Sequence, residues 1–157
     1  MLETKLSLLN IAKKELIHSL DVLRRAVEES HGNTTTGDQS KAEGKYDTRG
    51  IEASYLAKGQ QEQLGQLEES MAKFEALKLV NEPDQVFVGS LIVVSTDEGD
   101  RNFLVLPAGG GMNIDLDDES YLVITPTSPI GEALLGKGIG AGITLAHTAE
   151  AYISEIY

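Results

Sequence analysis

Apolar residues fall at Leu2, Leu6, Leu9, Leu16, Leu20, Leu23 and Val27, in steps of four and three, with one slot, Lys13, filled by a charge. A seam repeating every seven residues predicts a helix that packs against a partner helix. A second run, Ala53, Ala57, Gln60, Leu64, Leu67, Met71 and Phe74, steps the same way. Two seams joined by one connection predict an antiparallel, coiled-coil helical hairpin. Its packing should be thin near the connection, where the second seam is built from small residues, and firm at the base. The alternative is two amphipathic helices lying on a globular core, which ordinarily asks for a wider apolar stripe.

The pattern changes at Asn81-Glu82-Pro83-Asp84, where Pro83 should stop a helix. Beyond it, runs rich in Val, Ile, Leu and Tyr predict strands over 86–95, 102–107, 121–125, 142–146 and 151–156. Turn residues separate them, notably Asp97-Glu98-Gly99-Asp100 and Gly109-Gly110-Gly111. Between the third and fourth strands, Ser128 can cap a short helix that starts at Pro129 and exits at Gly136 or Gly138. Ile130, Ala133 and Leu134 share one face of that helix, which should cover the sheet. The prediction is an α+β chain: a hairpin over 1–80 with a tip at 31–50, then an antiparallel sheet with one short helix over 84–157.

Charge sharpens this division. The 157-residue chain has a net charge of −12, which disfavours binding to bare DNA or RNA through a basic surface. Residues 1–80 hold 11 basic and 13 acidic side chains, whereas residues 81–157 hold 2 and 12, so the second part carries −10 of the excess. Cysteine is absent, which excludes disulfides, thiolate metal sites and a cysteine nucleophile. Purely apolar runs such as Leu91 to Val94 are far short of the ~20 residues of a membrane span. Glu3, Lys5 and Asn10 interrupt any secretory leader, so a cytoplasmic setting is expected, with no membrane partner.

Few motifs carry chemistry by themselves. Gly131 to Gly138 nearly spells a phosphate-binding loop, but Gly138 stands where a magnesium-binding hydroxyl is needed and the interior reads as helix. The glycines at 138, 140 and 142 follow a helix and precede a strand, the reverse of the dinucleotide-binding order. His18, His31 and His147 lack helical pairing for zinc. Asp115, Asp117, Asp118 and Glu119 lack calcium-loop spacing and read as a solvated acidic turn. The connection over 30–50 is different. A stretch of ~20 residues without an apolar pattern is uncommon in a compact chain and is usually functional or mobile. Its acids Asp38, Glu43 and Asp47 alternate with Lys41, Lys45 and Arg49. The residues thus spell rod, tip and acidic sheet, with no self-contained active site.

The stretch Ile124-Thr125-Pro126-Thr127-Ser128-Pro129-Ile130-Gly131-Glu132-Ala133-Leu134-Leu135-Gly136-Lys137 resembles the signature of the GreA/GreB transcription elongation (transcript cleavage) factor family. Val88 to Val94 resembles the first strand of that family's C-terminal domain, and the order of hairpin and sheet is the same. The resemblance implies an FKBP-like C-terminal domain that docks on bacterial RNA polymerase, with Ser128, Pro129 and Ile130 facing that partner. It implies a hairpin inserted in the polymerase secondary channel, where tip carboxylates, here Asp38 and Glu43, assist Mg²⁺ held in the polymerase active site. Two metals there activate a water and steady the leaving oxygen as backtracked RNA is cut. The chain would be no enzyme alone. It would need no cofactor of its own and no small-molecule substrate, and would meet nucleic acid only within the transcription complex.

The tip departs from the family pattern. Gly37 and Asp38 match, but the slot of the second acid is Lys41, and Glu43 lies five residues after Asp38. A lysine cation beside Mg²⁺ is repulsive, the more so in a dry channel. Glu132, where a base is common in the family, and Gly140-Ala141-Gly142, in place of Gly-Asp, are two further departures. Three functions follow: a cleavage-stimulating elongation factor using Asp38 and Glu43; a channel-binding regulator of the same fold without cleavage; and a peptidyl-prolyl isomerase-like or other interaction module.

Overall fold

The structure, a computed structural model, describes residues 1–35, 48–145 and 150–157, with backbone alone for 31, 33–35, 48–51 and 53. Two long helices come first, α1 (Leu2–Thr35) and α2 (Thr48–Glu75). Then follow β1 (Leu91–Thr96), β2 (Gly99–Val105), β3 (Asn113–Leu116), β4 (Glu119–Ile124), α3 (Pro129–Leu134), β5 (Gly142–Ile143) and β6 (Ala151–Ile156).

The six strands form one sheet in the order β3-β4-β2-β1-β6-β5. Pairing is antiparallel except between β2 and β4, which run parallel, so the sheet is mixed at that one ladder. The parallel ladder arises because the chain leaves β2, skips one strand position to form β3 at the outer edge, and returns through a hairpin as β4 between them. A strand not anticipated from the sequence, β3, occupies the acidic region. Ile114 is buried between exposed Asn113 and Asp115, a two-residue alternation that the neighbouring acids obscure. Asp117 and Asp118, at φ 53 and 66, form the two-residue turn into β4; positive φ at both positions matches the twist of a tight hairpin.

Other boundaries shift for local reasons. The strand expected over 86–95 begins only at Leu91, because Gly89 turns the chain at φ 101 and donates its N–H to the Val105 carbonyl. Ser90 Oγ accepts from Phe87 N inside the same bend. Of the strand expected over 142–146, Gly142–Ile143 is strand and Thr144 and Leu145 are not, while Ala146 lies outside the described residues.

Along β1, β2 and β4 side chains alternate between two apolar layers. Leu91, Leu104, Tyr121 and Val123 face one layer, which also contains Leu8, Leu9, Ala12, Leu16 and Phe74 of the long helices. Ile92, Val94, Phe103, Val105 and Ile124 face the other, covered by Leu134 of α3. Leu91 to Val94 of β1 reads as a continuous apolar run because both of its faces are covered.

The hairpin therefore combines both arrangements considered for it. In α2 the seam positions Ala57, Gln60, Leu64, Leu67 and Met71 are half-buried and Phe74 is buried, as the heptads predict. In α1 the base departs from the seam. Leu2 and Leu6 are exposed, while Lys5, Leu8, Leu9 and Ala12 are buried. The first turns of α1 lie on the sheet and need the wider stripe of a core-facing helix; farther along, the partner is α2. Polar pairs continue the hairpin there: Arg24 with Glu68 at 2.9 Å, and Ser30 Oγ with Gln60 Oε1 at 2.9 Å.

Candidate functional site

The best-defined local structure outside the two apolar layers is the entry to α3. Ser128, in extended conformation, caps the helix: its Oγ accepts from Gly131 N at 3.1 Å and donates to the Thr125 carbonyl at 2.7 Å. Ser128 N donates to the same carbonyl at 3.0 Å. Pro129 takes the first helical position, where its missing N–H has no partner to lose. The exit is as expected in kind: Leu135 closes the helix, and Gly136 follows at φ 75. The phosphate-loop look-alike is thus helix for its first four residues, and Lys137 Nζ donates to the Gly142 carbonyl at 3.0 Å.

Close packing makes this corner sequence-specific. A Cβ on Gly131 would lie 1.9 Å from the Thr125 carbonyl oxygen, and one on Gly110 would lie 3.0 Å from the Thr125 methyl. Thr125 is thereby clamped between the two glycines, a requirement that no motif spacing reveals.

The clamp presents Pro129 and Ile130 between two open grooves. One, of about 460 Å³, runs from Phe103 and Leu122 past Ile130 to Leu145, with Asp100 and Asn102 on its rim. The other, of about 490 Å³, lies between Gly110, Leu122 and the Ser128-Pro129-Ile130 turn. Apolar floors with a few polar groups at the rim suit the side chains of another macromolecule. The expected partner-facing residues Ser128, Pro129 and Ile130 are therefore brought together at an accessible ridge.

The other candidates differ. Asp38 and Glu43, with Lys41, lie outside the described residues. So do His147 and the side chain of His31, while His18 is exposed. Among the described residues, no cluster of three or more His, Asp or Glu side chains could hold a metal ion. The acidic turn instead acts on Tyr121, whose hydroxyl is pushed up chiefly by desolvation and then by the charges of Glu119 and Asp117. No described helix is long and apolar enough to cross a membrane.

No family profile matches the chain, and no curated protein matches it. Solved structures do. Gfh1 of Thermus aquaticus is 18% identical, with 92% of each chain covered and a TM-score of 0.36. GreA factor homolog 1 (Gfh1) of Thermus thermophilus is 18% identical over 92% of this chain and 94% of that one, with a TM-score of 0.35. A further structure, of the transcription factor Gfh1, is 19% identical over 93% of each chain, with a TM-score of 0.37. Superpositions this loose leave any functional reading to the chain's own residues.

Proposed function

We propose that this chain is a bacterial transcription elongation factor that binds RNA polymerase and inserts its helical hairpin in the secondary channel. The carrying observation is the mounting of the hairpin. Its base is fixed to the sheet through Leu8, Leu9, Ala12, Leu16 and Phe74, and its far end leads into the acid-bearing segment that contains Asp38 and Glu43. At 34 residues α1 is about 51 Å long, enough to carry that segment well away from a docked sheet.

In this reading the ridge at Ser128, Pro129 and Ile130 and the acidic sheet meet a basic rim of polymerase. Opposite charge there would speed and orient docking. The tip then regulates elongation by lending the Asp38 and Glu43 carboxylates to Mg²⁺ held by polymerase, which favours cleavage of backtracked RNA. Hard oxygen donors suit that ion. In this reading polymerase performs the chemistry.

Lys41 favours a second reading, occupancy of the channel without cleavage, because a cation replaces one acid of the family's pair. Stalled, backtracked polymerase incubated with Mg²⁺ and saturating protein separates the two. Shortening of the RNA 3′ end supports the first reading. Binding without shortening supports the second, and failure to bind overturns both.

A further inference from the structure

Lys5 is the only charged side chain buried among the described residues, with 1% of its surface exposed. Its Nζ donates to the Val80 carbonyl at 2.9 Å and to the Tyr157 carbonyl at 2.9 Å. The Tyr157 carbonyl also accepts from Leu91 N, and Tyr157 N donates to the Leu91 carbonyl. One ammonium thus ties the first turns of α1 to the segment after α2 and to the ends of β6 and β1. Among the described residues no Asp or Glu side chain pairs with it.

A buried ammonium is costly, and its burial holds the Lys5 pKa below the usual lysine range. An apolar side chain of similar length would give the packing without that cost. What the ammonium adds is direction: apolar burial is non-directional, whereas its N–H groups point at two particular carbonyls. Direction matters because the hairpin is a long lever. For a helix of this length, a tilt of about 10° at the base moves the far end by roughly 9 Å.

We infer that Lys5 is the positioning residue that fixes the direction of the hairpin relative to the sheet. The inference rests on the base geometry alone and holds whether or not the chain acts on polymerase. Cysteine is absent, so Glu29→Cys on α1 and Asp97→Cys in the β1–β2 turn, both at exposed positions, give a unique spin-label pair. In the full chain the pair should report one narrow distance distribution. Adding Lys5→Met should broaden or shift it by several ångströms, about the displacement of a 10° tilt. Amide exchange in the first turns of α1 should rise about tenfold while β1, β2, β4 and β6 keep their protection. Lys5→Arg, which keeps charge and donors, should restore the narrow distribution. An unchanged distribution in Lys5→Met would overturn the inference. So would equal loss of protection throughout the sheet, which would make Lys5 an ordinary core residue, or broadening in Lys5→Arg as large as in Lys5→Met.

Discussion

Gly131→Ala is the substitution on which helix propensity and packing disagree most clearly. Within a short helix, alanine is favoured over glycine by about 1 kcal/mol. At this site, however, the new Cβ would sit 1.9 Å from the Thr125 carbonyl oxygen. Close C···O contacts lie near 3.3 Å, so the turn and the helix must separate by roughly 1.4 Å. That movement breaks the Gly131 N to Ser128 Oγ cap and both hydrogen bonds from Ser128 to the Thr125 carbonyl. At about 1 kcal/mol for each, the loss of ~3 kcal/mol exceeds the propensity gain and leaves a net destabilisation of ~2 kcal/mol. Urea unfolding followed by circular dichroism should show the midpoint falling by about 1 M, for a slope near 2 kcal/mol per M. Ser128→Ala, which removes both hydroxyl bonds but leaves the turn free to stay in place, should cost about as much, ~2 kcal/mol. A neutral or stabilised Gly131→Ala would refute the reasoning, because it would mean the turn yields without loss.

Three further outcomes are expected. Leu8→Ala should cost about 3 kcal/mol, since Leu8 is fully buried in the layer shared by α1, α2 and the sheet; calorimetry should show a single transition at a lowered midpoint. Tyr157 donates its hydroxyl to the Glu155 carboxylate, and that bond, followed by desolvation and the charges of Glu155 and Glu82, pushes its pKa from 10.0 up to about 12. Because the folded value is the higher one, the associated stability is fully present below pH 10.0 and is lost as pH rises through about 12. Absorbance titration should show this phenol returning toward its ordinary value in Glu155→Gln. Finally, Asp38→Ala combined with Glu43→Ala should leave polymerase affinity within a few-fold, measured by fluorescence anisotropy; a large loss would place docking in the tip instead.

The sequence made some parts of this architecture readable and hid others, for physical reasons. The α2 seam from Ala57 to Phe74 is visible because its partner is another helix and the period is regular. The base of α1 is misread from heptads alone, since Leu8 and Ala12 answer to a layer that the sheet shares with α2. A wide stripe of Lys5, Leu8, Leu9, Ala12 and Leu16 is present in the chain, but a lysine at its head masks it. Strand β3 is short and bounded by acids, so composition speaks for a loop while the alternation around Ile114 speaks for a strand. The α3 entry is legible to the residue, because Ser-Pro at a helix start has a local cause. The clamp on Thr125 is not, because Gly110 and Gly131 meet it only in the folded chain.

The central claim is that this hairpin delivers its tip to the polymerase active site. With no native cysteine, Lys41→Cys can carry a single iron chelate that releases hydroxyl radicals. Bound to an elongation complex, it should cut the RNA at and next to the 3′ end within the polymerase active site. Binding at the same affinity with no cuts there, or with cuts only on the polymerase exterior, would contradict the account.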